Sequence, residues 1–465
     1  MLTQLRFQNF KSWQDTGDIR FAPLTGLFGT NSSGKTAILQ FLLMLKQTIE
    51  SNDQKAVLHT GNERTYVDLG TTKDLIHNHT FPNKLIFSVE WLPTGPSFDL
   101  SLPVGATPFP IQKPDSFKVP VLAQYQEALH FKCKISLDIN ELKVQEFEYI
   151  YTSRERNEVR FGLSLDSVES KSNVYELIAE GYPLDEIRMS NSYKIDPLKI
   201  HDFSGALNIK FHHGEFLRNL PLAFGKMLEG CYYLGPLRDY PKRIYPWSGE
   251  QPQDVGRKGE LTIPALLSGQ KESTEIEKKV AYWLKNLGLI NDFSVRPIAE
   301  GRREFEVRVR RKSSSTEVSV TDVGFGVSQI LPVLVLCYYV PEGSTILLEQ
   351  PEIHLHPSVQ AGLADVFIDV IKNRDVQIIL ESHSEHLLRR LQRRIAEGKL
   401  DFTHEDAALY FCQMDEAGNS SLKPLELDTF GNISNWPEDF FGDEMGDLVA
   451  MTEAAMQRQM VSEAN

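Results

Sequence analysis

The stretch Gly29–Thr36, with sequence GTNSSGKT, combines residue types that bind phosphate. It fits the pattern G-x-x-x-x-G-K-[ST], in which glycines let backbone N–H groups converge on one anion. In this pattern Lys35 reaches the β- and γ-phosphates of a nucleotide, and the hydroxyl of Thr36 binds Mg²⁺. The residues expected to line the nucleotide are Gly29, Thr30, Asn31, Ser32, Ser33, Gly34, Lys35, Thr36 and Ala37. The pattern predicts nucleotide binding and leaves hydrolysis open.

A carboxylate ends the apolar run in TILLEQPEIHLHP, residues 345–357. Glu349 follows four apolar or β-branched residues, and a strand end of this kind is where a phosphate-loop protein holds Mg²⁺. The alternative is a solvated glutamate at an ordinary strand end. A histidine-rich turn and the stretch LESHSEH follow, so we favour Glu349 as the metal-side carboxylate.

His383 directly follows the apolar stretch VQIIL and its Glu-Ser extension. A histidine at a strand end beside a phosphate site can contact the γ-phosphate. The alternative is a histidine at a helix start, where Ser382 or Ser384 caps the helix.

The stretch TDVGFGVSQILP, residues 321–332, contains two glycines one residue apart. Gly324 and Gly326, followed by Ser328 and a helix, can present backbone N–H groups to an anion. Gly-x-Gly is common, so this stretch alone is a weak indication of an anion site.

Strands and helices must hold these residues together. The alternating stretch LTQLRFQNF predicts a strand, and the phosphate loop lies between the strand of GDIRFAPLTGLFG and the helix of TAILQFLLMLKQTIE. Farther along, STILLEQ, PSVQAGLADVFIDVIKN, VQIILES and SEHLLRRLQRRIAEG alternate as strand, helix, strand and helix ending at Gly398. This order predicts an α/β fold with a parallel sheet.

The middle of the chain has a different pattern. KLIFSVEWLP, LHFKCKISLDI and VQEFEYIYTSRERNEVRFGLSL read as antiparallel strands, and the Pro- and Gly-rich residues 94–114 as a surface loop. We therefore expect an inserted β-rich domain over residues 96–225. It divides a globular head into lobes 1–95 and 226–445, followed by a tail over residues 446–465.

The bulk composition of the 465 residues limits the function classes. A net charge of −14 disfavours long-range attraction of nucleic acid. The four cysteines are far apart without a C-x-x-C pair, which argues against a disulfide scaffold or zinc site and fits a reducing compartment. There is no signal-peptide pattern, and the longest apolar run, Ile330–Val340, is too short to span a bilayer. We expect a cytoplasmic protein without a membrane partner.

The order NFKS, GTNSSGKT, DVGFGVSQ, LLEQPEIHLHP and LESHSEH resembles the ATPase head of the ABC/SMC-like superfamily. Its nearest likeness is to AAA-type ATPases of bacterial antiviral defence systems. YYLGPLRDYP, residues 232–241, and SNWPEDFF, residues 434–441, also resemble that subgroup, the tail being most like its Menshen-like members. The resemblance covers about residues 1–95 and 226–445 and leaves the middle out.

The resemblance implies a fold and a set of roles. The fold is an ABC/SMC-type P-loop ATPase head, a mixed sheet flanked by helices, and the cofactors are ATP and Mg²⁺. Such heads form head-to-tail dimers around two ATP molecules. The implied roles are Lys11 beside the adenine and phosphates, Gly29–Thr36 as Walker A, Gly324, Phe325, Gly326 and Ser328 as the signature reaching the partner's γ-phosphate, Glu349 as Walker B, His356 in the D-loop region, and His383 as the switch histidine.

Gln350 departs from the superfamily pattern, which has a water-activating glutamate at this position. Glutamine cannot accept a proton, and loss of a general base costs on the order of 10²–10⁴-fold in rate. Two interpretations stay open. Hydrolysis is slow and ATP acts as a long-lived clamp on the dimer, or another residue such as Glu352 or His356 serves as the base.

Two basic clusters keep nucleic acid open as a partner. Arg389–Arg394 reads as a solvated helix face balanced by Glu381, Glu385 and Glu397, and Arg308–Lys312 as part of an exposed hairpin. Neither establishes a nucleic-acid interface.

The sequence therefore predicts a dimeric ATPase subunit of a bacterial antiphage complex. Lys35, Glu349, Gln350 and His383 are its expected catalytic residues. An ATP-gated switch would sense invasion or control an effector such as a nuclease encoded nearby. The alternatives are a non-hydrolysing ATP-clamped scaffold and a DNA-binding repair or maintenance ATPase, although the latter needs a long coiled coil that the sequence lacks.

Overall fold

A computed structural model describes the chain except for certain internal and terminal residues. The residues left out are 54–55, 94–127, 139–140, 153–157, 166–173, 181–191, 195–199, 202–214, 273–274, 312–315, 399, 438–439, 441–443 and 464–465. The expected surface loop over residues 94–114 lies outside the described residues.

Strands and helices are numbered in chain order. The strands are β1 Leu2–Phe10, β2 Trp13–Asp15, β3 Ile19–Arg20, β4 Leu24–Gly29, β5 Asn83–Trp91, β6 Leu129–Asp138, β7 Glu141–Thr152, β8 Glu158–Leu165, β9 Val174–Glu180, β10 Ser192–Lys194, β11 Cys231–Leu234, β12 Tyr245–Pro246, β13 Asp292–Pro297, β14 Glu304–Arg310, β15 Glu317–Ser319, β16 Thr345–Glu349, β17 Gln377–Glu381, β18 Ala407–Met414 and β19 Ser420–Pro424. The helices are α1 Lys35–Glu50, α2 Thr72–Leu75, α3 Glu215–Glu229, α4 Thr262–Glu272, α5 Glu275–Asn286, α6 Phe325–Tyr339, α7 Pro357–Arg374, α8 Glu385–Glu397 and α9 Glu444–Glu463.

The sheet that carries the phosphate loop has the order β11-β16-β17-β4-β18-β19. Its pairs are parallel as far as β18, and β19 is antiparallel to β18. The carboxyl ends of parallel strands meet at one edge, which is where ligands bind in such sheets. Gly29, Glu349 and Glu381 end three neighbouring strands and are therefore brought together.

Every residue of β4, β16 and β17 is buried, as expected for short, largely apolar strands of a parallel sheet with both faces covered. Leu347 and Ile379 belong to a core that they share with α1 and the strands of the largest sheet. Leu348 and Leu380, the next residues along, belong to a second core with α6, α7 and α8. The predicted strands β16 and β17 and the predicted helices α1, α7 and α8 are confirmed.

The largest sheet extends from the N-terminal lobe into the middle of the chain. Its order is β10-β9-β8-β7-β6-β5-β1-β2, with β3 also paired to β1. The strands between residues 129 and 194 thus continue the sheet that β1 and β5 begin, and they share its hydrophobic core. The expected domain boundaries at 95 and 225 stay a prediction.

A small antiparallel sheet, β12-β14-β13 with β15 paired to β14, packs into the second core. Its paired strands β14 and β15 carry Arg308 and Arg310, as expected, but both arginines are half-buried and paired with acids rather than exposed, and Lys312 lies outside the described residues. None of the helices in the described parts of the chain is both long and apolar enough to cross a membrane.

Candidate functional site

The phosphate loop runs from the end of β4 to the start of α1, and its two glycines fill positions that admit no side chain. Gly29 has φ +135°, and a Cβ there would lie 2.0 Å from the carbonyl oxygen of Cys412. Gly34 has φ +90°, and a Cβ there would meet the side chains of Ser420, Trp13 and Ser12. Positive φ and close approach together require glycine at both positions.

Lys35 begins α1 and is 3% exposed. Its Nζ donates to the carbonyl oxygens of Gly29 (3.1 Å) and Thr30 (2.6 Å). Burial lowers the pKa of this ammonium group, and the nearby charge of Glu381 raises it. The ammonium group of Lys35 thus hydrogen-bonds to its own loop. A bound phosphate can replace the carbonyl oxygens of Gly29 and Thr30 as its acceptor.

The rest of the loop follows the expected pattern. Asn31 and Ser32 are exposed, with Ser32 in the left-handed region at φ +59°. The Ser33 hydroxyl donates to the Thr30 carbonyl (2.8 Å), and the Ala37 N–H donates to the Gly34 carbonyl (3.1 Å). Backbone groups of the tip are therefore open to a ligand while the base of the loop is fixed.

The carboxylate that contacts Thr36 is that of Glu381. Thr36 Oγ1 donates to Glu381 Oε2 at 2.7 Å. Glu381 ends β17, is 3% exposed and pairs in parallel register with Glu349. The expectation that Glu381 balances the arginines of α8 on a solvated face is wrong, because the strand ends inside the site.

Glu349 lies at the end of β16 and is 6% exposed. Its Oε1 accepts a hydrogen bond from the Tyr233 hydroxyl at 2.9 Å. Burial, followed by the charge of Glu381, raises the pKa of Glu349 to about 7. Burial raises the pKa of Glu381 as well. Two buried carboxylates with raised pKa values are stabilised by a cation between or beside them.

These side chains fit Mg²⁺, which prefers oxygen ligands and keeps waters and substrate phosphates in its shell. Thr36 would contribute its hydroxyl, and Glu349 and Glu381 would contribute carboxylate charge. Across the described ranges, no group of three or more His, Cys, Asp or Glu side chains forms a cation site by itself. The ion would therefore complete its shell with nucleotide phosphates.

Gln350 follows β16 in the left-handed region, at φ +44°. Its backbone N–H donates to the carbonyl oxygen of Glu381 at 2.9 Å. Its side-chain amide also hydrogen-bonds to the Glu381 carboxylate and lowers the pKa of that group. Gln350 therefore bridges the ends of β16 and β17.

The two alternative bases considered from the sequence have other partners. The Oε1 atom of Glu352 accepts from the backbone N–H of His383 (2.7 Å), and the Oε2 atom is buried without a hydrogen-bond partner. Nδ1 of His356 accepts from the Ser358 N–H (3.3 Å) and so caps α7. The contacts of both side chains are thus structural in this conformation.

The imidazole of His383 lies just after the end of β17 and is only partly exposed. Burial of its ring, then the charge of Lys35, lowers the pKa of His383 below its ordinary value of 6.5. The ring is therefore neutral at pH 7 and can donate one hydrogen bond to a phosphate.

Lys11 follows β1 with φ +51°, and its Nζ donates to Oε1 of Gln40 on α1. Nδ1 of His77 contacts the Lys11 carbonyl oxygen at 2.9 Å. Burial lowers the pKa of Lys11, and the charge of Glu349 raises it. The electrostatic interaction with Glu349 places Lys11 beside the predicted site.

The predicted signature forms the N-terminus of α6. Gly324 is the N-cap residue and has no side chain to cap the helix, so the N–H groups of Phe325 and Gly326 are open to an anion, whereas that of Val327 donates to the Gly324 carbonyl oxygen. Phe325 is 40% exposed. Its ring centroid lies 5.7 Å from that of Tyr240 and 5.3 Å from that of His354. The Ser328 hydroxyl donates to the Phe325 carbonyl (2.7 Å) and would have to rotate to reach a phosphate.

Three residues of the site were missed in the sequence: Glu381, Tyr233 and Arg238. VQIILE repeats the TILLE pattern of an apolar strand ending in glutamate, and that repetition is the signal for Glu381. Arg238 is 7% exposed and donates to the carbonyl oxygens of Pro236 (3.0 Å) and Glu349 (3.4 Å). Burial lowers the pKa of Arg238 to about 10. The stretch YYLGPLRDYP thus contacts the end of β16, because Tyr233 and Arg238 both hydrogen-bond to Glu349.

The arginines of α8 are paired with acids. Arg390 and Arg394 both bind Asp365 on α7, at 2.7 and 2.6 Å. Arg389 pairs with Glu385 (3.0 Å) and Arg393 with Glu397 (2.7 Å). This arrangement fits the solvated helix face that we expected, with two of its arginines joining α8 to α7.

Two known protein families match parts of the chain. The sequence model of a family described as "AAA ATPase domain" matches residues 1–190 and 262–388. A family described as "Protein of unknown function (DUF3696)" matches residues 402–451. The first match continues through residues 96–190, which the motif resemblance leaves out. Together with the sheet order, it confirms the predicted class, an α/β P-loop ATPase fold with sheets flanked by helices.

Solved structures that align with most of this chain include heads of SMC proteins. The SMC head domain from Thermotoga maritima is 11% identical, with 92% of this chain and 99% of that chain covered and a TM-score of 0.37. An SmcHead bound to the C-winged helix domain of ScpA is 10% identical, covering 92% and 98%, with a TM-score of 0.42. A head with an extended coiled coil, bound to the C-terminal domain of ScpA derived from Pyrococcus furiosus, is 9% identical, covering 91% and 96%, with a TM-score of 0.38. These low scores carry no inference about activity or partners. No curated protein matches the chain significantly.

Proposed function

The chain belongs to the AAA ATPase domain family, and on that premise we propose that it is the ATP-gated dimeric switch of a bacterial antiphage defence complex. It acts in the cytoplasm, binds ATP with Mg²⁺ and hydrolyses it slowly. In the ATP-bound dimer it senses invasion or controls an effector, such as a nuclease, that is encoded nearby.

The observation that carries the dimer proposal is the open N-terminus of α6. Gly324 leaves helix N–H groups uncapped, and Phe325 beside them is exposed although it is a large apolar residue. A helix N-terminus of this kind stabilises an anion. A second copy bringing its bound ATP to this surface would supply the anion and cover the phenyl ring.

Slow hydrolysis is supported by the contacts of Gln350. Its amide and its backbone N–H both bind Glu381, so the residue at the usual position of the base holds a neighbouring strand. A glutamine cannot take the proton of an attacking water. Loss of a general base at this position lowers the rate of hydrolysis on the order of 10²–10⁴-fold.

The antiphage role is supported by the motif order, by YYLGPLRDYP and by the tail motif SNWPEDFF, which resemble defence-system ATPases. The tail motif lies inside the part of the chain matched by the second family, residues 402–451. DNA binding by α8 has less support, because Asp365, Glu385 and Glu397 pair with its arginines.

Phage plating tests the proposal in cells. A host carrying the gene with its neighbours should reduce plaque formation, and Lys35→Ala should abolish the reduction because its ammonium group binds the phosphates. Lys84→Ala, at an exposed position on β5, is the matched control and should protect like the wild type. Protection that survives Lys35→Ala, or no protection by the wild type, would count against the proposal.

Single-turnover hydrolysis by the purified protein separates the slow ATPase from the non-hydrolysing scaffold. The slow ATPase converts the bound ATP to ADP and phosphate in one slow exponential phase with Mg²⁺, and with excess ATP it continues to release phosphate at a low rate. A scaffold retains intact ATP through the whole time course, which would replace the switch by a permanent clamp.

A further inference from the structure

Glu381, and not the Walker B residue Glu349, accepts the hydrogen bond of the Thr36 hydroxyl. We propose that Glu381 is the positioning residue of the cation site. This proposal rests on the proposed binding of Mg²⁺ and ATP. It holds Thr36 so that the hydroxyl oxygen faces the cation, while Glu349 supplies the second carboxylate.

A threonine hydroxyl has one proton to donate and two lone pairs. With its proton committed to Glu381 at 2.7 Å, the Thr36 oxygen is free to bind a cation through a lone pair. An outer partner that fixes a ligand in this way typically changes metal affinity by about 10–100-fold.

The position of Glu381 is well fixed. Its strand lies between β16 and β4, and its backbone is in register with Glu349 on one side and Leu27 on the other. The side chain is 3% exposed. A carboxylate on a buried, doubly paired strand end can set the orientation of Thr36 with little freedom to move away.

Gln350 completes the arrangement. Its side-chain amide hydrogen-bonds to the Glu381 carboxylate, and its backbone N–H binds the Glu381 carbonyl oxygen. A glutamate at position 350 would add a third carboxylate beside Glu349 and Glu381, and like charges so close disfavour ionisation. Gln350 and Glu381 are therefore complementary. The residue after β16 is neutral, and the negative charge lies at the end of the neighbouring strand β17.

Titration calorimetry of the full chain with ATP, in Mg²⁺ and in excess EDTA, tests the assignment. Glu381→Gln should bind ATP in EDTA within about 3-fold of the wild type but lose about 10–100-fold of the gain in affinity that Mg²⁺ gives. Glu381→Asp, which keeps the carboxylate, should retain part of that gain. Glu385→Gln is the matched control, because Glu385 pairs with Arg389 on α8 outside the site.

A double-mutant cycle separates positioning through Thr36 from a direct or merely structural role. In a Thr36→Val background, Glu381→Gln should cause a much smaller loss of the Mg²⁺-dependent gain than in the wild type, because the hydroxyl that it holds is gone and only its charge is lost. Paramagnetic resonance of Mn²⁺ with ATP provides a second readout, with weaker Mn²⁺ retention in Glu381→Gln. Circular dichroism establishes that each variant is folded.

The inference is overturned if Glu381→Gln keeps the full Mg²⁺-dependent gain while Glu349→Gln loses it, or if the cycle is additive. Equal losses in Glu381→Gln and Glu385→Gln would also overturn it, since the effect would not be specific to the site. A wild type that binds no ATP in either buffer would overturn the proposed function itself.

Discussion

At the scale of single residues, the phosphate loop depends on space that only glycine leaves. Gly29 lies directly against the backbone of β18, where its Cβ position is 2.0 Å from the Cys412 carbonyl oxygen. The second matched family, residues 402–451, includes that strand. The C-terminal part of the chain therefore forms one wall of the phosphate loop.

Gly29→Ala should destabilise the protein by about 2–5 kcal/mol. A left-handed backbone costs a non-glycine residue about 1–2 kcal/mol, and overpacking against Cys412 adds about 1–3 kcal/mol. The control is Gly17→Ala, because Gly17 also has positive φ (+63°) but no atom within 4 Å of its Cβ position. The control should cost only the backbone part, about 1–2 kcal/mol. Urea unfolding without nucleotide measures both, and equal losses would contradict the packing argument.

At the scale of elements, the order of parallel strands makes the site. Apolar runs and helical periodicity predict β16, β17, α1, α7 and α8 from local residues, and the phosphate-loop pattern predicts Gly29–Thr36. The repeated pattern of an apolar strand ending in glutamate marks Glu381, but its hydrogen bond with Thr36 could not be predicted, because it depends on β17 lying between β16 and β4 in space. The continuity of the sheet from β1 to β10 was hidden for the same reason: strand pairing is long-range, whereas the composition shift near residue 95 is local.

The contact between α7 and α8 gives a prediction at this scale. Asp365→Ala should lower the free energy of unfolding by about 1.5–3 kcal/mol, because two arginines of α8, Arg390 and Arg394, lose a charged hydrogen-bond partner that is only partly exposed. Glu385→Ala is the control, since its partner Arg389 is 54% exposed and such surface pairs contribute about 0–1 kcal/mol. Urea unfolding should rank the two variants in this order. The reverse order would mean that the arginines of α8 do not join the helices.

At the scale of the whole molecule, the proposed function assigns the two halves of an ATP site to different elements of one chain. The phosphate loop, Glu349, Glu381 and His383 lie together at the edge of the central sheet. The open N-terminus of α6, with Phe325 exposed, is the surface that a partner's nucleotide would complete. Dimerisation driven by ATP is the central claim of the proposed function, and the uncapped N-terminus of α6 is the observation that supports it.

Sedimentation equilibrium of the purified chain, with and without Mg²⁺ and ATP, tests that claim most directly. With ATP in excess and the slow hydrolysis proposed above, ATP stays bound during the run, so the wild type should shift to the mass of two chains only when Mg²⁺ and ATP are present. Lys35→Ala, which loses the phosphate contact, should not shift, and Lys84→Ala should behave as the wild type. A wild type that binds ATP but stays at the mass of one chain would contradict the account.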